Sequence, residues 1–206
     1  SSRTRVGRFV SSHAGVTRGA VRALLASGRV EVNGRAASEI NQVVDQFSHI
    51  TLDGQVLQDR AAIYLMLNKP RGVVSATRDE KHRTVIDLLD ANTGKDLHIA
   101  GRLDFNSTGL LLLTNDGRWS RRLASARNPV EKVYRVTLEH ALAKHHIEAF
   151  AQGMYFPYEN ITTRPVTLTI LSDYSAELRL TEGRYHQIKR MLGRFNNRVL
   201  TLHRIA

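Results

Sequence analysis

A chain of 206 residues can form one large or two modest domains, and a body of about 150 residues buries roughly 70% of its unfolded surface without staples. With 30 Lys and Arg against 19 Asp and Glu, the formal net charge is +11, which favours a polyanionic partner, nucleic acid first. Cysteine is absent, which removes disulfides, thiolate nucleophiles and Cys-based zinc sites and fits a reducing cytoplasm.

The His residues are scattered, and His145-His146 lacks a third ligand at helical spacing, so no metal site is expected. No apolar run is long enough to cross a bilayer, no broad apolar helical face opposes the basic residues as membrane binding requires, and the basic start from Ser1 to Arg8 lacks the apolar stretch of a signal peptide.

Along the chain, Val6, Phe9 and Val10 fall at helical spacing. A second helix starts at Thr17, buries Val21, Leu24 and Leu25, and stops at Gly28. Arg29 to Asn33 then alternates with Val30 and Val32 inward, and Asn33-Gly34 supplies the positive dihedrals of a tight hairpin. Ile50 and Leu52 repeat the pattern before Asp53-Gly54. Residues 1–59 therefore read as a small domain of two helices and a hairpin-rich sheet. Arg18 and Arg22 share the helix face turned away from Val21 and Leu25, with Arg29 just beyond the helix end. That face can meet phosphates, although a solvated charged face has the same spacing.

From residue 60 the pattern changes to longer strands punctuated by isolated helices. Ile63 to Leu67 is a candidate buried strand, and Lys69-Pro70-Arg71-Gly72 is a turn leading to Val73-Val74-Ser75. A helix is expected from Thr84 and another over Ala141 to Gln152. Val133 to Leu138, Val166 to Ile170 and Leu178 to Leu180 read as strands, and Tyr185 to Phe195 returns to helical spacing through Ile188, Met191, Leu192 and Phe195. Residues 60–206 thus predict an α+β domain with a mixed, largely antiparallel sheet.

Two constellations could carry chemistry. Gly101-Arg102-Leu103-Asp104-Phe105-Asn106-Ser107-Thr108-Gly109 is a polar loop ahead of the buried run Leu110 to Leu113, an arrangement that can hold a carboxylate at the mouth of a cleft. An Asp in such a loop can equally cap a turn. Further on, His186, Lys189 and Arg190 stand at i, i+3 and i+4, opposite Ile188, Met191 and Leu192, so one helix offers a basic and a buried face. By alternation alone, Tyr134 with Val136 and Leu138 is an ordinary core aromatic.

The blocks Leu67-Asn68-Lys69-Pro70-Arg71-Gly72, Gly101-Arg102-Leu103-Asp104, Ser107-Thr108-Gly109-Leu110-Leu111-Leu112, Thr114-Asn115-Asp116-Gly117, Glu131-Lys132-Val133-Tyr134 and Glu182-Gly183-Arg184-Tyr185-His186-Gln187-Ile188-Lys189-Arg190-Met191 together resemble the RsuA-like pseudouridine synthases, in that family's order. Similarly, Val16-Thr17-Arg18 and Ser27-Gly28-Arg29-Val30-Glu31-Val32-Asn33-Gly34 resemble the small RNA-binding domain named after ribosomal protein S-four. The resemblance implies that Asp104 is the catalytic carboxylate, that Lys189 pairs with it, with Arg190 its nearest rival, and that Tyr134 stacks on the flipped uracil and helps remove the proton from ring carbon 5. It further implies that Arg102 fills the space the uridine vacates, where the local alternative is a phosphate contact or a brace for its own loop, and that Arg18, Arg22 and Arg29 contact RNA; Arg190 is also expected among the RNA contacts. The implied reaction needs no metal or redox cofactor.

Leu67-Asn68-Lys69-Pro70 and Gly117-Arg118-Trp119-Ser120 look closer to the subgroup that modifies small-subunit (16S) ribosomal RNA, as naked RNA or within an assembly intermediate. The same reaction on large-subunit RNA and a non-catalytic ribosome-assembly role are the alternatives. A cytoplasmic monomer is expected. The chain ends at Leu202-His203-Arg204-Ile205-Ala206, inside the last matched strand, where relatives continue with another turn and strand; loss of such a segment would expose a sheet edge.

Overall fold

A computed structural model describes residues 3–206. The chain divides into two compact units, one ending at Ala62 and the other beginning at Ile63, against the expected break between residues 59 and 60.

In the first unit β1 (Thr4–Arg5) leads into α1 (Val6–Ala14) and α2 (Arg18–Ala26), followed by β2 (Val30–Val32), β3 (Arg35–Ala36), β4 (Val43–Val44), β5 (Ile50–Leu52) and β6 (Gln55–Gln58). Thr17 starts α2 because its Oγ1 accepts the otherwise orphaned N–H of Ala20. Four strands pair antiparallel in the order β3-β2-β5-β6. Asn33-Gly34 and Asp53-Gly54 close two of the hairpins with φ positive at both residues, 50° and 77° in one and 53° and 77° in the other, the backbone that matches strand twist across a two-residue turn. Val6, Phe9, Val10, Val21, Leu25, Val30, Val32 and Ile50 form the core, and Leu24, expected inside, lies half-buried at its margin.

The second unit contains β7 (Tyr64–Lys69), a short 3-10 turn (Ile86–Leu88), β8 (His98–Ala100), β9 (Thr108–Thr114), α3 (Gly117–Leu123), β10 (Lys132–Leu138), α4 (Lys144–Gln152), β11 (Tyr155–Phe156), β12 (Ile161–Thr162), β13 (Thr167–Ser172), β14 (Ser175–Leu180), α5 (Gln187–Gly193) and β15 (Val199–Arg204). Its mixed sheet runs β13-β14-β10-β15-β9-β7, with β8 also paired to β9. All pairings are antiparallel except that of β15 with β9. Phe150 of α4 and Ile188, Met191 and Leu192 of α5 are buried with Val136, Leu138, Leu168, Leu178, Leu111 and Leu113 in one core. No helix is long and apolar enough to cross a membrane among the described residues.

Four elements differ from the expectation. Thr84 does not open a helix: it bridges Val74 and exchanges hydrogen bonds with Asp87, which closes a single turn. The 60s strand is not buried throughout, for β7 lies at the sheet end and turns Tyr64 and Met66 outward, at 51% and 82% exposure. The helix expected from Ala141 starts at Lys144, after an extended Ala143 whose N–H donates to His146 Nδ1. The last helix starts only at Gln187, because His186 takes left-handed backbone (φ 47°). The final strand β15 lies inside the sheet, between β10 and β9.

One topological detail sets up the site. β7 pairs with β9 along Gly109 to Thr114, so β15 at Thr108 and Gly109 and β8 at Leu112 to Thr114 must share its other edge. The sheet therefore forks between β8 and β15, and the loop of residues 101–107 leaves from the fork.

Candidate active site

The loop that bears Asp104 is held from several sides. Ser75 Oγ donates to the carbonyl of Leu103 at 2.6 Å and accepts its N–H at 3.1 Å. Gly72 N–H donates to the carbonyl of Phe105, and Ser107 N–H to that of Asp104 itself. Lys69, at the end of β7 and fully buried, donates from Nζ to the carbonyls of Ser107 (2.7 Å), Pro70 (2.9 Å) and Phe105 (3.3 Å). Burial pushes the Lys69 ammonium below the usual lysine range, and the charge of Asp104 opposes that shift.

Gly109 ties the loop to the C-terminal strand. Its φ is +109°, and a Cβ there would collide with the backbone of Arg204 in β15, so only glycine lets the two strands pair. Thr114-Asn115-Asp116-Gly117 likewise does structural work. Asn115 Oδ1 accepts the N–H of Ile63, Thr114 Oγ1 donates to the carbonyl of Ile63, and Asp116 Oδ1 accepts the N–H groups of Arg118 and Trp119 at the start of α3.

The Asp104 carboxylate stays 40% exposed, with His186 Nε2 at 3.4 Å and Lys189 Nζ at 3.8 Å from its Oδ2. His186 caps α5 and Lys189 lies in its first turn, and the helix is anchored by Ile188, Met191 and Leu192. The left-handed backbone of His186 turns its ring toward Asp104 while stacking it on Tyr185, centroids 3.9 Å apart. Arg190 points elsewhere: it forms a bidentate pair with Glu159 at 2.6 and 2.8 Å and lies 3.8 Å over the ring of Phe156.

Tyr134 is buried in β10 and, with Arg102, lines a cavity of about 620 Å³ whose wall includes Gly101, Leu112 and Arg204. Asp104 is outside that lining, two residues along the loop from Arg102. An open carboxylate flanked by a lysine and a histidine, on a loop whose Arg102 lines a cavity with Tyr134 that is large enough for a nucleobase, can attack or activate a sugar carbon while the base turns in the cavity.

In the first unit, Arg18 donates to Asn41 Oδ1 at 3.1 Å and Arg22 is exposed. Arg29 is engaged by Asp53 in a bidentate pair, 2.7 and 2.6 Å, which neutralises the charge it was expected to offer. Arg18 instead borders a hollow of about 380 Å³ with Arg5, Arg8, Ser11 and Ser12. Arg5, at the end of β1, and Arg8, in the first turn of α1, were missed in the sequence. Lys69, Ser75 and Arg204 were missed as well: a buried lysine, a serine bonding a distant loop and an arginine in a sheet fork carry no local pattern.

The sequence matches the family model for RNA pseudouridylate synthase over residues 63–193. Ribosomal small subunit pseudouridine synthase A of Pseudomonas aeruginosa is 45% identical over 201 residues, 97% of this chain and 87% of the relative. The protein of the same name from Pasteurella multocida is 41% identical over the same shares. A crystal structure of pseudouridylate synthase superposes with a TM-score of 0.67 at 36% identity, covering 97% of this chain and 86% of that one. The chain, with its mixed sheet and forked Asp104 loop, belongs to the RNA pseudouridylate synthase family, in its RsuA-like branch.

Proposed function

We propose that the protein isomerises one uridine to pseudouridine in small-subunit (16S) ribosomal RNA, with Asp104 as the catalytic carboxylate. The observation that carries this reading is Asp104 itself, held on a pinned loop with His186 and Lys189 at its carboxylate and, two residues away, Arg102 lining a cavity with Tyr134. The target follows the names of the relatives that match nearly the whole chain.

The bond from uracil nitrogen 1 to sugar carbon 1′ breaks with the help of Asp104, the base turns, and carbon 5 bonds carbon 1′. The proton on carbon 5 then leaves, its electron pair restores the ring double bond, and nitrogen 1 gains a proton. Reactant and product have the same atoms and oxidation state, so no cofactor is needed. Lys189, with Nζ 3.8 Å from Oδ2, is the ion-pair partner of that carboxylate. Tyr134 offers a flat face to the base and a phenol oxygen for the carbon 5 step. A stacked uridine must first be extruded, at a cost of a few kcal/mol, and Arg102 fills the vacated space.

The first unit acts as an RNA-binding domain of the ribosomal-protein-S-four type, with Arg18 and Arg22 on phosphates and Arg29 held back by Asp53. Arg190 serves RNA less directly, since Glu159 already occupies its fork. Such a substrate makes the protein a cytoplasmic one, and a monomer suffices because one chain holds every group named.

The test is pseudouridine mapping of unmodified small-subunit RNA, naked and as an assembly intermediate, after incubation with wild type or Asp104→Asn. One site modified by wild type alone is expected, with RNA affinity of the variant within about a factor of two, a few tenths of a kcal/mol. Modification of large-subunit RNA only would overturn the target, and turnover by Asp104→Asn would overturn the role of the carboxylate.

A further inference from the structure

We infer that Arg204 is a positioning residue for Tyr134, fixing the phenol oxygen for removal of the carbon 5 proton; this rests on the isomerase reading above. Arg204 lies at the end of β15, in the fork of the sheet, and is only 5% exposed. Its guanidinium makes three hydrogen bonds to three different segments. Nε donates to the carbonyl of Leu110 in β9 at 2.7 Å, one terminal nitrogen to the carbonyl of Gly101 at 2.8 Å, and the other to Tyr134 Oη at 3.3 Å.

The fork of donors in arginine is planar and rigid. With two of its nitrogens fixed on backbone carbonyls, the third has a set direction, and that direction is the phenol oxygen. The ring of Tyr134 is further confined by the guanidinium carbon, 5.9 Å from its centroid. Gly101 opens the loop that carries Arg102 and Asp104, so a single side chain joins the position of the carboxylate loop to that of the tyrosine.

Bracing the two backbone carbonyls accounts for two of the three donors; the third goes to a phenol oxygen of a cavity-lining residue, where no backbone group calls for it. All three acceptors are neutral, and burying a full positive charge against neutral partners costs free energy. The surroundings are already cation-rich: the Lys132 ammonium, in the same cavity wall, is held below the usual lysine range by burial first and by Arg204 second. A charge kept under those conditions, with one donor on the group proposed to receive the carbon 5 proton, fits a role in the reaction better than one in folding. In that step the proton of carbon 5 passes to the Tyr134 oxygen as the phenol's own proton leaves, through solvent, for nitrogen 1, and the carbon–hydrogen electron pair re-forms the ring double bond. A donor fixed on that oxygen holds its free lone pair toward the cavity.

The test compares single-turnover rates on target RNA carrying hydrogen or deuterium at carbon 5, for wild type, Arg204→Gln, Arg204→Lys, Tyr134→Phe and the double variant Arg204→Gln with Tyr134→Phe. Arg204→Gln is expected to slow the reaction about 10²-fold, as loss of one preorganised donor does, and to raise the isotope effect above that of wild type. Arg204→Lys should recover part of the rate and lower the isotope effect again. The double variant should be no slower than Tyr134→Phe, because the two side chains act as one unit. A slower Arg204→Gln with a wild-type isotope effect, or additive losses in the double variant, would overturn the inference. Should Arg204→Gln not fold, Arg204→Lys carries the same comparison. A wild type that makes no pseudouridine would instead defeat the functional reading on which this one stands.

Discussion

Lys69 is the residue whose chemistry is most at odds with its surroundings. A lysine ammonium without solvent contact is costly, and it is retained because three carbonyls, two of them on the Asp104 loop, need its three donors. Lys69→Met keeps the volume but leaves those carbonyls short of partners. We expect it to lower stability by about 2–4 kcal/mol, the cost of a few orphaned buried groups less the relieved charge, and to reduce kcat more than RNA affinity because the loop loosens. Urea unfolding and single-turnover kinetics check the two parts. Unchanged kcat in a destabilised variant would show that Asp104 is positioned without Lys69.

Helix α5 shows how one short element serves core and site together. Its Ile188, Met191 and Leu192 are buried, and its start brings His186 and Lys189 to Asp104. The pair of Arg190 with Glu159 holds the same helix to the segment between β11 and β12. The hydrogen bonds from Arg190 keep the Glu159 carboxyl below the usual glutamate range. A carboxyl whose pKa is lower in the folded state adds stability above its unfolded pKa and loses it as pH falls through the folded value. Wild type should therefore be more stable than Glu159→Gln at neutral pH, and the difference should shrink as pH drops below the ordinary glutamate range. Urea midpoints for both proteins across that range measure it. A difference that stays constant into acid would mean that the pair contributes through packing over Phe156 and not through charge.

At the scale of the whole molecule, the proposed function assigns affinity and chemistry to different units. Arg18 and Arg22 are in the first unit and the Asp104 loop in the second, so the two properties should separate under mutation. Arg18→Gln and Arg22→Gln are expected to weaken RNA binding, and each lost phosphate contact on single-stranded or duplex RNA should flatten the dependence of log K on log salt by about 0.7–0.9. Arg29→Gln should change the slope less, since Asp53 already pairs with that guanidinium. Filter binding over a range of salt concentrations measures these slopes, and an equal effect of Arg29→Gln would show that the Asp53 pair opens on RNA.

Local signals in the sequence determined the amphipathic helices, the Asn-Gly and Asp-Gly hairpins, the change of pattern near residue 60, and a polar loop ahead of a buried strand. Each depends on neighbours within a few residues, through periodicity, capping or positive φ, so each is legible in order along the chain. The resemblance of the motif blocks singled out Asp104, Tyr134 and Lys189. Their spacing in the chain could not do so, because they lie on a loop, a strand and a helix. Tertiary structure alone decided which cations remain available. Arg29 and Arg190 carry the same side chain as Arg18, but Asp53 and Glu159 claim them through contacts 24 and 31 residues distant in sequence. It also decided that Lys69 and Arg204 are buried beside the Asp104 loop, since the fork between β8 and β15 exists only once the last strand has paired with β9. Hydrogen bonds and desolvation act over a few ångströms of space, and a sequence orders residues without giving those distances.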